Sequence, residues 1–575
     1  MAAPQLPAYP WRKPEFYQVP DPEWHFGKPV TATEEGKKWM QGINEEDAFK
    51  GVDATTLPHR ELYQLMKSGI VPRPIAFVST TSADGIDNIA PFSSLSFVTG
   101  VVSFFVQPGD HGPSDTLTNL QIGHGFVVSI ISEPWVTQAC VTGLNAPPGV
   151  SEWALSGLTK VASRAVKPPR VKESAFSMEC ELMHTHEIRD AQSGDLEYTH
   201  VLGRVKYIHV RRNVLTERGV VDIQKFKPVA HIGDISYCTI GDVFRMRPST
   251  WAEVEPFIPD EMKRDAREGG SQTSRPTLLR QNARRRLHLF RHPNSITFAT
   301  QASSTAMSNQ LPAYPWHTPQ FFQVPDPEWT YGKAITTTEE GKKWMEGTDD
   351  EDAFKGVDSA TFGPRDLYQL MKSAIVPRPI AFVSTTSADG IDNIAPFSSL
   401  NFVTGVVSFF IQQGDYGPSN TLTNIRTGNG FVVSIISEPW IANAHAAGLT
   451  APPGVSEWGF TGLTKVASKN VKPPRVKESA FSMECELMHT HEICDPYTGE
   501  VQYTHVLGQV NYIHVRRNVL SERGVVDIQK FKPVARIGDI SYCTIGDIFR
   551  MRAPSWEEAE SLIPEELKRD AKGAL

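Results

Sequence analysis

The sequence predicts a mainly β protein in which one β-barrel domain with helical additions occurs twice in tandem. The segment LPAYPW at Leu6 recurs at Leu311, and SYCTIGD at Ser236 recurs at Ser541, with the same offset of 305 residues. A period of that length indicates a duplicated domain rather than a solenoid. Within each copy, short apolar runs alternate with turn signals and no β-α-β rhythm is present, which favours a small antiparallel barrel.

The repeat sets the predicted domain boundaries: copy 1 covers residues 1–270, a linker covers 271–307, and copy 2 covers 308–575. The segment 271–306 contains six arginines and no acidic residue, and it lacks sustained apolar periodicity. We interpret it as a flexible linker. The alternative is a relic of gene fusion, because segments rich in Arg and Ser and poor in acids resemble mitochondrial transit peptides.

Composition excludes several classes of protein. The chain has 575 residues, 40% of them hydrophobic and 21% charged, which is a globular balance too large for a single core. A net charge of −8 argues against a nucleic-acid partner or an anionic membrane. No apolar stretch is long enough to span a bilayer, and the first residues show no secretory signal. Six scattered cysteines without a C-x-x-C pair fit reduced thiols, so we expect a cytoplasmic protein.

Local signals predict the elements of copy 1 in order. Residues 31–39 open with a capping-box pattern, residues 60–68 carry an apolar stripe and end at Gly69, and residues 251–267 form a terminal helix. Strands are expected over residues 75–81, 101–107 and 126–132. A long hairpin is expected from residues 176–188 and 198–210, and Asp84-Gly85 marks a tight turn after the first strand.

One block of copy 1 offers the chemistry of a cofactor site. No dinucleotide fingerprint and no Walker-type loop is present, so a nicotinamide cofactor would have to bind without a Rossmann domain. The predicted hairpin over residues 71–94, VPRPIAFVSTTSADGIDNIAPFSS, carries many hydroxyl and amide groups. FMN needs that mixture around its polar ring edge, and Arg73 could pair with its phosphate. The alternative is that these Ser, Thr and Asn side chains only satisfy the backbone near turns.

The block R-P-x-A-x-V-S-T, followed by N-x-A-P-F-S and by D-T-L-T-N at residues 115–119, resembles the flavin reductase-like family of FMN-binding split barrels. That family includes flavoredoxin and the reductase components of flavin monooxygenases. The resemblance covers about residues 60–240 and 365–545. It implies a split barrel, FMN as cofactor, NAD(P)H as electron donor, and dimers with flavin at the subunit interface. In this chain it implies an intramolecular pseudo-dimer of the two copies.

By position, the resemblance assigns ten flavin-binding candidates to each copy. In copy 1 they are Arg73, Ser79, Thr80, Asn88, Ala90, Pro91, Ser93, Ser94, Thr116 and Asn119. In copy 2 they are Arg378, Ser384, Thr385, Asn393, Ala395, Pro396, Ser398, Ser399, Thr421 and Asn424.

Some positions depart from the family pattern. Ser114 and Ser419 stand where many relatives carry a lysine. The arginine that relatives have before the late Gly-Asp region is kept as Arg536 but is His231 in copy 1. Asp115 of copy 1 is also replaced by an asparagine in copy 2. We therefore expect copy 1 to bind FMN more weakly, since it has lost a cation and kept an anion.

Other chemically suggestive residues have plainer interpretations. His184 and His186 would share one face of a strand, but no third ligand recurs at a sensible spacing, so no metal site is predicted. Cys180 and Cys238 lie in apolar strand contexts and are expected in the core. Trp135 and Trp153 are expected to pack, with stacking on the flavin ring as the alternative. No acid or base is identified as catalytic.

The sequence thus predicts an FMN-dependent oxidoreductase, either an NAD(P)H:flavin reductase that releases reduced flavin or an enzyme that acts on a small organic substrate. Two alternatives stay open. One is a non-enzymatic flavin-binding electron carrier, and the other is a structural split barrel without cofactor.

Overall fold

The structure of the protein is a computed structural model that describes residues 6–258, 260 and 311–569. The exceptions within these ranges are residues 110–113, 145, 148–149, 191–192, 234, 414–418, 450, 452–454, 497 and 539. The predicted linker therefore lies outside the described residues, and the domain boundaries stay a prediction. Among the described helices, none combines the length and apolar character that crossing a membrane requires.

Strands dominate both copies, as predicted. In copy 1 they are Phe16–Tyr17, Phe49–Asp53, Arg73–Pro74, Ala76–Thr81, Asp87–Phe92, Ser96–Val98, Val101–Val106, Phe126–Ser129, Lys160–Val161, Arg170–Val171, Phe176–Arg189, Leu196–Arg211, Ala230–Ile232 and Ser236–Arg245. In copy 2 they are Phe321–Phe322, Phe354–Asp358, Ala381–Thr386, Asp392–Phe397, Asn401–Val403, Val406–Gln412, Phe431–Ser434, Lys465–Val466, Arg475–Val476, Phe481–Cys494, Val501–Arg516, Ala535–Ile537 and Ser541–Arg550.

The described α-helices are short and lie between or beside the strands. In copy 1 they are Glu34–Met40, His59–Gly69, Asp115–Gln121, Val136–Val141, Glu152–Ser156, Ile223–Phe226 and Trp251–Val254. In copy 2 they are Glu339–Met345, Pro364–Ala374, Asn420–Ile425, Ile441–Ala446, Trp458–Thr461, Ile528–Phe531, Trp556–Ala559 and Glu565–Arg569. The prediction of two repeated, mainly β domains with helical additions is confirmed.

Two helix boundaries differ from the sequence prediction. The first helix begins at Glu34 because the hydroxyl of Thr33, not that of Thr31, accepts a hydrogen bond from the Gly36 N–H. The predicted terminal helix is interrupted after Val254, because Pro256 follows and the chain continues as a 3₁₀ turn. Residues 259 and 261–267 of that prediction lie outside the described residues. Sequence patterns locate helices well, but the capping geometry decides which residue begins and ends them.

Each copy forms an eight-stranded antiparallel sheet that includes one strand of the other copy. Phe49–Asp53 of copy 1 pairs with Val501–Arg516, and Phe354–Asp358 of copy 2 pairs with Leu196–Arg211. A third sheet joins the copies directly, because Ser236–Arg245 runs antiparallel to Ser541–Arg550. Each copy therefore completes the backbone hydrogen bonding of the other.

The cores are shared as well. The helix His59–Gly69 buries Leu62, Leu65 and Met66, the stripe predicted from the sequence. These residues pack in one cluster with Phe402 and Phe481 of copy 2. The equivalent helix of copy 2, Pro364–Ala374, packs into the core of copy 1 in the same way. The interface between the copies is thus part of the hydrophobic core, and the regions where they meet can form ligand sites.

Candidate functional site

A cavity of about 690 Å³ lies between the two copies and contains part of the predicted cofactor set. Copy 2 supplies most of its wall, with Ile380, Pro396, Ser398, Ile436, His445, Arg536 and Tyr542 among the lining residues. Copy 1 closes it with residues 24–26, 248–249 and 257. Its size is within the range of small-molecule sites. We refer to it as the copy 2 cavity.

A larger groove of about 1320 Å³ runs past residues 50–68 of copy 1 and 521–530 of copy 2. None of the predicted cofactor residues lines it. The smaller cavity is therefore the better candidate, because it combines the motif residues with a wall from each copy.

Arg536 supplies positive charge to the copy 2 cavity. It belongs to the strand Ala535–Ile537, and its guanidinium carbon lies 4.3 Å from the centroid of the Tyr542 ring. No other lysine or arginine is present among the lining residues that the structure describes. A cation within a mainly apolar and aromatic wall suits a flat ligand that also carries negative charge.

His445 is held as a neutral side chain at the same wall. Its Nε2 is 3.1 Å from the Arg247 carbonyl oxygen, and its Nδ1 is 2.9 Å from the Tyr542 hydroxyl. Since a carbonyl only accepts, Nε2 carries the proton and Nδ1 accepts from the tyrosine. Burial lowers the pKa of His445 to about 4. The histidine therefore orients Tyr542 and adds no charge at neutral pH.

Trp24 of copy 1 provides an unsatisfied donor in the cavity wall. Its indole Nε1 is buried and has no hydrogen-bond partner among the described residues. A buried N–H without a partner is costly, and a ligand acceptor would satisfy it once the indole turns toward the cavity. The donor set of the cavity, an indole N–H and a guanidinium beside Ser398, fits the ring oxygens and the phosphate of a flavin nucleotide.

Four predicted residues of each copy form a polar cluster at the helix that the D-T-L-T-N motif, or N-T-L-T-N in copy 2, itself forms. The Asn424 amide donates to Thr385 Oγ1 at 3.0 Å. The Asn393 oxygen accepts from the Thr421 hydroxyl at 3.2 Å, and its amide donates to Glu457 Oε2 at 2.7 Å. In copy 1, the Asn119 amide donates to Thr80 Oγ1 and the Asn88 amide donates to Thr116 Oγ1, both at 3.0 Å, so the Asn88–Thr116 bond runs opposite to the Asn393–Thr421 bond. The structure brings these predicted residues together, and Thr116 lies in the helix Asp115–Gln121.

Sequence reasoning missed the carboxyl group in this polar cluster. Burial raises the pKa of Glu457 to about 8, and that of its equivalent Glu152 to about 7. Both residues belong to an S-E-W tripeptide with no recognisable motif spacing. Only the packing of their helices against the hairpin reveals that burial raises the pKa of both carboxyl groups.

The predicted arginines lie elsewhere. Arg73 Nη1 donates to the carbonyl oxygens of Lys67 and Ile70 at 2.7 and 2.8 Å, and Nη2 lies 2.9 Å from His231 Nδ1. Arg378 repeats the bonds to its own helix end. Burial lowers the pKa of both arginines to about 10. Their guanidinium groups thus cap a helix end, and contact with a phosphate stays a prediction.

The predicted serines and their neighbours divide among three roles. Ser398 and Pro396 line the copy 2 cavity. Ser94 and Ser399 accept the backbone N–H of Phe105 and Phe410 and lie at the contact between the copies. Ser79 donates to the Pro169 carbonyl, whereas the buried hydroxyl of Ser384 has no partner among the described residues. Ala90, Pro91, Ser93 and Ala395 belong to or directly follow the second strand of each hairpin.

The plainer interpretations of the remaining residues agree with the structure. Trp135 is fully buried, with its ring centroid 5.5 Å from that of Phe77. Trp153 is 3% exposed and carries Lys160 over its ring. Cys180 and Cys238 are fully buried in the core, and burial raises the pKa of both thiols.

Comparison with known proteins identifies the family. A family model described as "Flavin reductase like domain" matches residues 66–230 and 371–530, which together are more than half of the chain. The chain belongs to this flavin reductase-like family. The predicted recognition is confirmed, including the tandem duplication, because the same model matches once in each copy.

Individual relatives of this flavin reductase-like protein each match about a third of it. An uncharacterized protein of Aquifex aeolicus (strain VF5) is 36% identical over 180 residues, which are 31% of this chain and 88% of the relative. The crystal structure of nitrilotriacetate monooxygenase component B from Bacillus cereus is 27% identical, with a TM-score of 0.32, and the match covers 33% of this chain and 95% of that one. Flavoredoxin of Desulfovibrio vulgaris (Miyazaki F) is 23% identical, with a TM-score of 0.26, covering 30% and 90%.

The family establishes the function at a coarse level. A flavin reductase-like chain is a flavin-related oxidoreductase. The electron donor, the choice between FMN and FAD, and the final acceptor are finer questions, which depend on the residues of the site.

Proposed function

We propose that this chain is an FMN-dependent NAD(P)H oxidoreductase whose flavin binds between the two copies. The observation that carries the proposal is the copy 2 cavity, because its wall combines Pro396 and Ser398 of the motif block with Trp24 of the other copy. Sites at a contact between two copies are what the resemblance to split barrels implies. The substrate is either free flavin or a small organic molecule.

The residues of the chain would bind and orient the cofactor. Arg536 would neutralise negative charge on the nucleotide, and the Trp24 N–H would donate to an acceptor on it. Ile380 and Ile436 give the wall an apolar surface that excludes water. Bound FMN would supply the redox chemistry, taking a hydride from NAD(P)H. That chemistry needs no dedicated acid or base from the protein.

Absorbance spectroscopy tests the proposal. The purified chain is titrated with FMN and, separately, with FAD, and the loaded protein is mixed anaerobically with NADH or NADPH in a stopped-flow instrument. We expect tighter binding of FMN than of FAD and rapid bleaching of the flavin by at least one nicotinamide. Failure to bind either flavin would contradict the proposal. Binding without reduction would instead favour the electron carrier.

The oligomeric state tests the intramolecular pseudo-dimer. Since the strands and cores of the copies are shared, we expect the full chain to sediment with the mass of one chain. The isolated segment 1–270 lacks the strand and helix that copy 2 provides, so we expect it to dimerise. A full-length chain that forms tetramers while its isolated halves are monomers would show that the copies do not complete each other.

A further inference from the structure

Six histidines meet where the long hairpins of the two copies face each other. His184, His186 and His200 come from copy 1, and His489, His491 and His505 are their equivalents in copy 2. We refer to these six residues as the histidine cluster. Three ring pairs stack across the copies, with centroids 4.3 Å apart in each: His184 on His491, His186 on His489, and His200 on His505.

The strand register explains why the rings collect there. In copy 1, His186 lies directly opposite His200 on the neighbouring strand, and in copy 2, His491 lies opposite His505. His184 lies two residues before His186, and His489 lies two residues before His491. Alternate residues of a strand share one face, so both histidines of each strand are on the same face. Pseudo-twofold pairing of the hairpins then brings the two sets face to face.

Ligand nitrogens within the histidine cluster are close enough to share an ion. One nitrogen each of His184, His489 and His491 lies within 4.8 Å of the other two. Two of these residues come from copy 2 and one from copy 1. The third ligand of the His489-x-His491 pattern is thus His184 of the other copy, which no sequence spacing could show.

Two of the three proposed ligands, His184 and His489, carry a buried nitrogen without a hydrogen-bond partner among the described residues. The Nε2 atoms of His184, His489, His200 and His505 are buried and have no hydrogen-bond partner among the described residues. A buried polar atom that no protein group satisfies calls for an explanation, and an ion is one of them.

Several imidazoles of the histidine cluster are shifted toward their neutral form by their surroundings. Burial is the main cause that lowers the pKa of His184 and His186, and the neighbouring His489 lowers both further. Burial also lowers the pKa of His505 to about 3. Glu187 and Glu492, on the same strands, act in the opposite direction on His186 and His491. Neutral imidazole is the form that ligates metals.

We propose that the histidine cluster binds one divalent transition-metal ion of the Zn²⁺ class through His184, His489 and His491, joining the two copies. Imidazole nitrogens suit Zn²⁺, and three protein ligands leave a fourth position for water. A Zn–N bond of about 2.0–2.1 Å requires the three nitrogens, which lie within 4.8 Å of one another, to move closer together. It also requires the stacked rings of His184 and His491 to tilt so that their lone pairs converge on the ion. Because its ligands belong to both copies, the ion would stabilise their pairing, independently of flavin binding.

Metal analysis of the untagged full-length chain tests this proposal. After removal of metal with a chelator, the protein is titrated with Zn²⁺ by calorimetry, and the retained metal is measured by mass spectrometry. We expect one Zn²⁺ per chain. The double variant H184Q/H489Q should bind Zn²⁺ more weakly by about 100-fold or more, because it loses two ligands.

The matched control is H59Q, since His59 is half exposed, lies against Glu197 and is outside the histidine cluster. It should retain the binding of the unchanged chain. Absence of Zn²⁺ binding by the unchanged chain, or equal binding by H184Q/H489Q, would overturn the proposal and leave the rings as a stacked packing element. If the double variant does not fold, the visible spectrum of the Co²⁺-loaded unchanged chain decides, because strong tetrahedral bands support the site and their absence overturns it.

Discussion

The two copies differ most informatively at the copy 2 cavity and at the equivalent positions of copy 1. In copy 2, Arg536 lies over Tyr542 at the cavity wall, and the Trp24 indole has no partner among the described residues. In copy 1, His231 replaces the arginine and lies 2.9 Å from an Arg73 nitrogen. The indole of Trp329, the equivalent of Trp24, donates to the Lys333 carbonyl at 3.0 Å.

A second exchange follows the same trend. His445 of copy 2 accepts from the Tyr542 hydroxyl, whereas its equivalent Cys140 receives the Tyr237 hydroxyl at 3.5 Å. The site of copy 2 thus carries a guanidinium where the equivalent position of copy 1 carries an imidazole that lies against Arg73. The comparison shows how a few substitutions change the polar groups of two equivalent sites, and a difference in their flavin affinity stays a prediction.

The largest expected effect is the loss of stability on substituting Arg73 or Arg378, and it tests whether these arginines stabilise the fold or bind the cofactor. Substituting Arg73 or Arg378 by Ala removes the donors to two carbonyls at a helix end, and buried acceptors without partners are costly. We expect each variant to lose about 2–4 kcal/mol of unfolding free energy, measured by chemical denaturation. The FMN affinity of the folded variants should change little. A large loss of affinity with unchanged stability would instead confirm the phosphate contact predicted from the sequence.

The buried glutamates allow a comparison by pH. A carboxyl whose pKa is raised by folding stays protonated in the folded protein at pH values where it is ionised in the unfolded chain. The free energy of unfolding therefore falls as the pH rises from about 4.5, the pKa of the unfolded chain, to the pKa of the folded protein. That window ends near pH 8 for Glu457 and near pH 7 for Glu152. We expect E457Q to exceed the unchanged chain in stability by about 1–3 kcal/mol at pH 8 and to match it at pH 4.

Thermal and denaturant unfolding at several pH values measure this difference. The matched variant E152Q should show a smaller gain that levels off at a lower pH. A gain that is constant with pH in either variant would mean that the carboxyl has the same pKa in the folded and the unfolded chain.

Exchanging the residues that differ between the copies tests the asymmetry directly. R536H should weaken FMN binding at the copy 2 cavity by about 2 kcal/mol, or roughly 30-fold, because a charge-assisted contact is lost. H231R should strengthen binding at copy 1. Calorimetric titration with two sites checks both variants, and identical affinities of the two sites in the unchanged chain would refute the asymmetry.

The smallest expected effect concerns the two indoles. W329F removes a hydrogen bond and should cost about 1 kcal/mol of stability, whereas W24F removes a donor that has no partner among the described residues. W24F should leave stability nearly unchanged and reduce FMN affinity. The two variants are controls for each other, and equal stability losses would show that the indoles are equivalent.

Sequence alone determined the duplication, the mainly β class and the family. The apolar stripe of residues 62–66 and the turn at Asp84-Gly85 are local patterns, and local patterns survive folding because neighbouring residues fix them. The motif block identified the strands and the polar cluster around Asn424 for the same reason. The residues that cap helices and the interruption of the helix after Val254 needed the structure, because they depend on which hydrogen bond forms.

Only the tertiary structure decided which residues meet across the two copies. Trp24 and Arg536 line the same cavity, and His184 lies close to His489, although more than 300 residues separate the members of each pair along the chain. The strand exchange that brings them together depends on backbone pairing between the copies, which leaves no spacing pattern in the sequence. The surroundings of Arg73 and Glu457 were also visible only in the tertiary structure. Burial, rather than residue type, determines which polar groups hydrogen-bond within the fold and which remain available to a ligand.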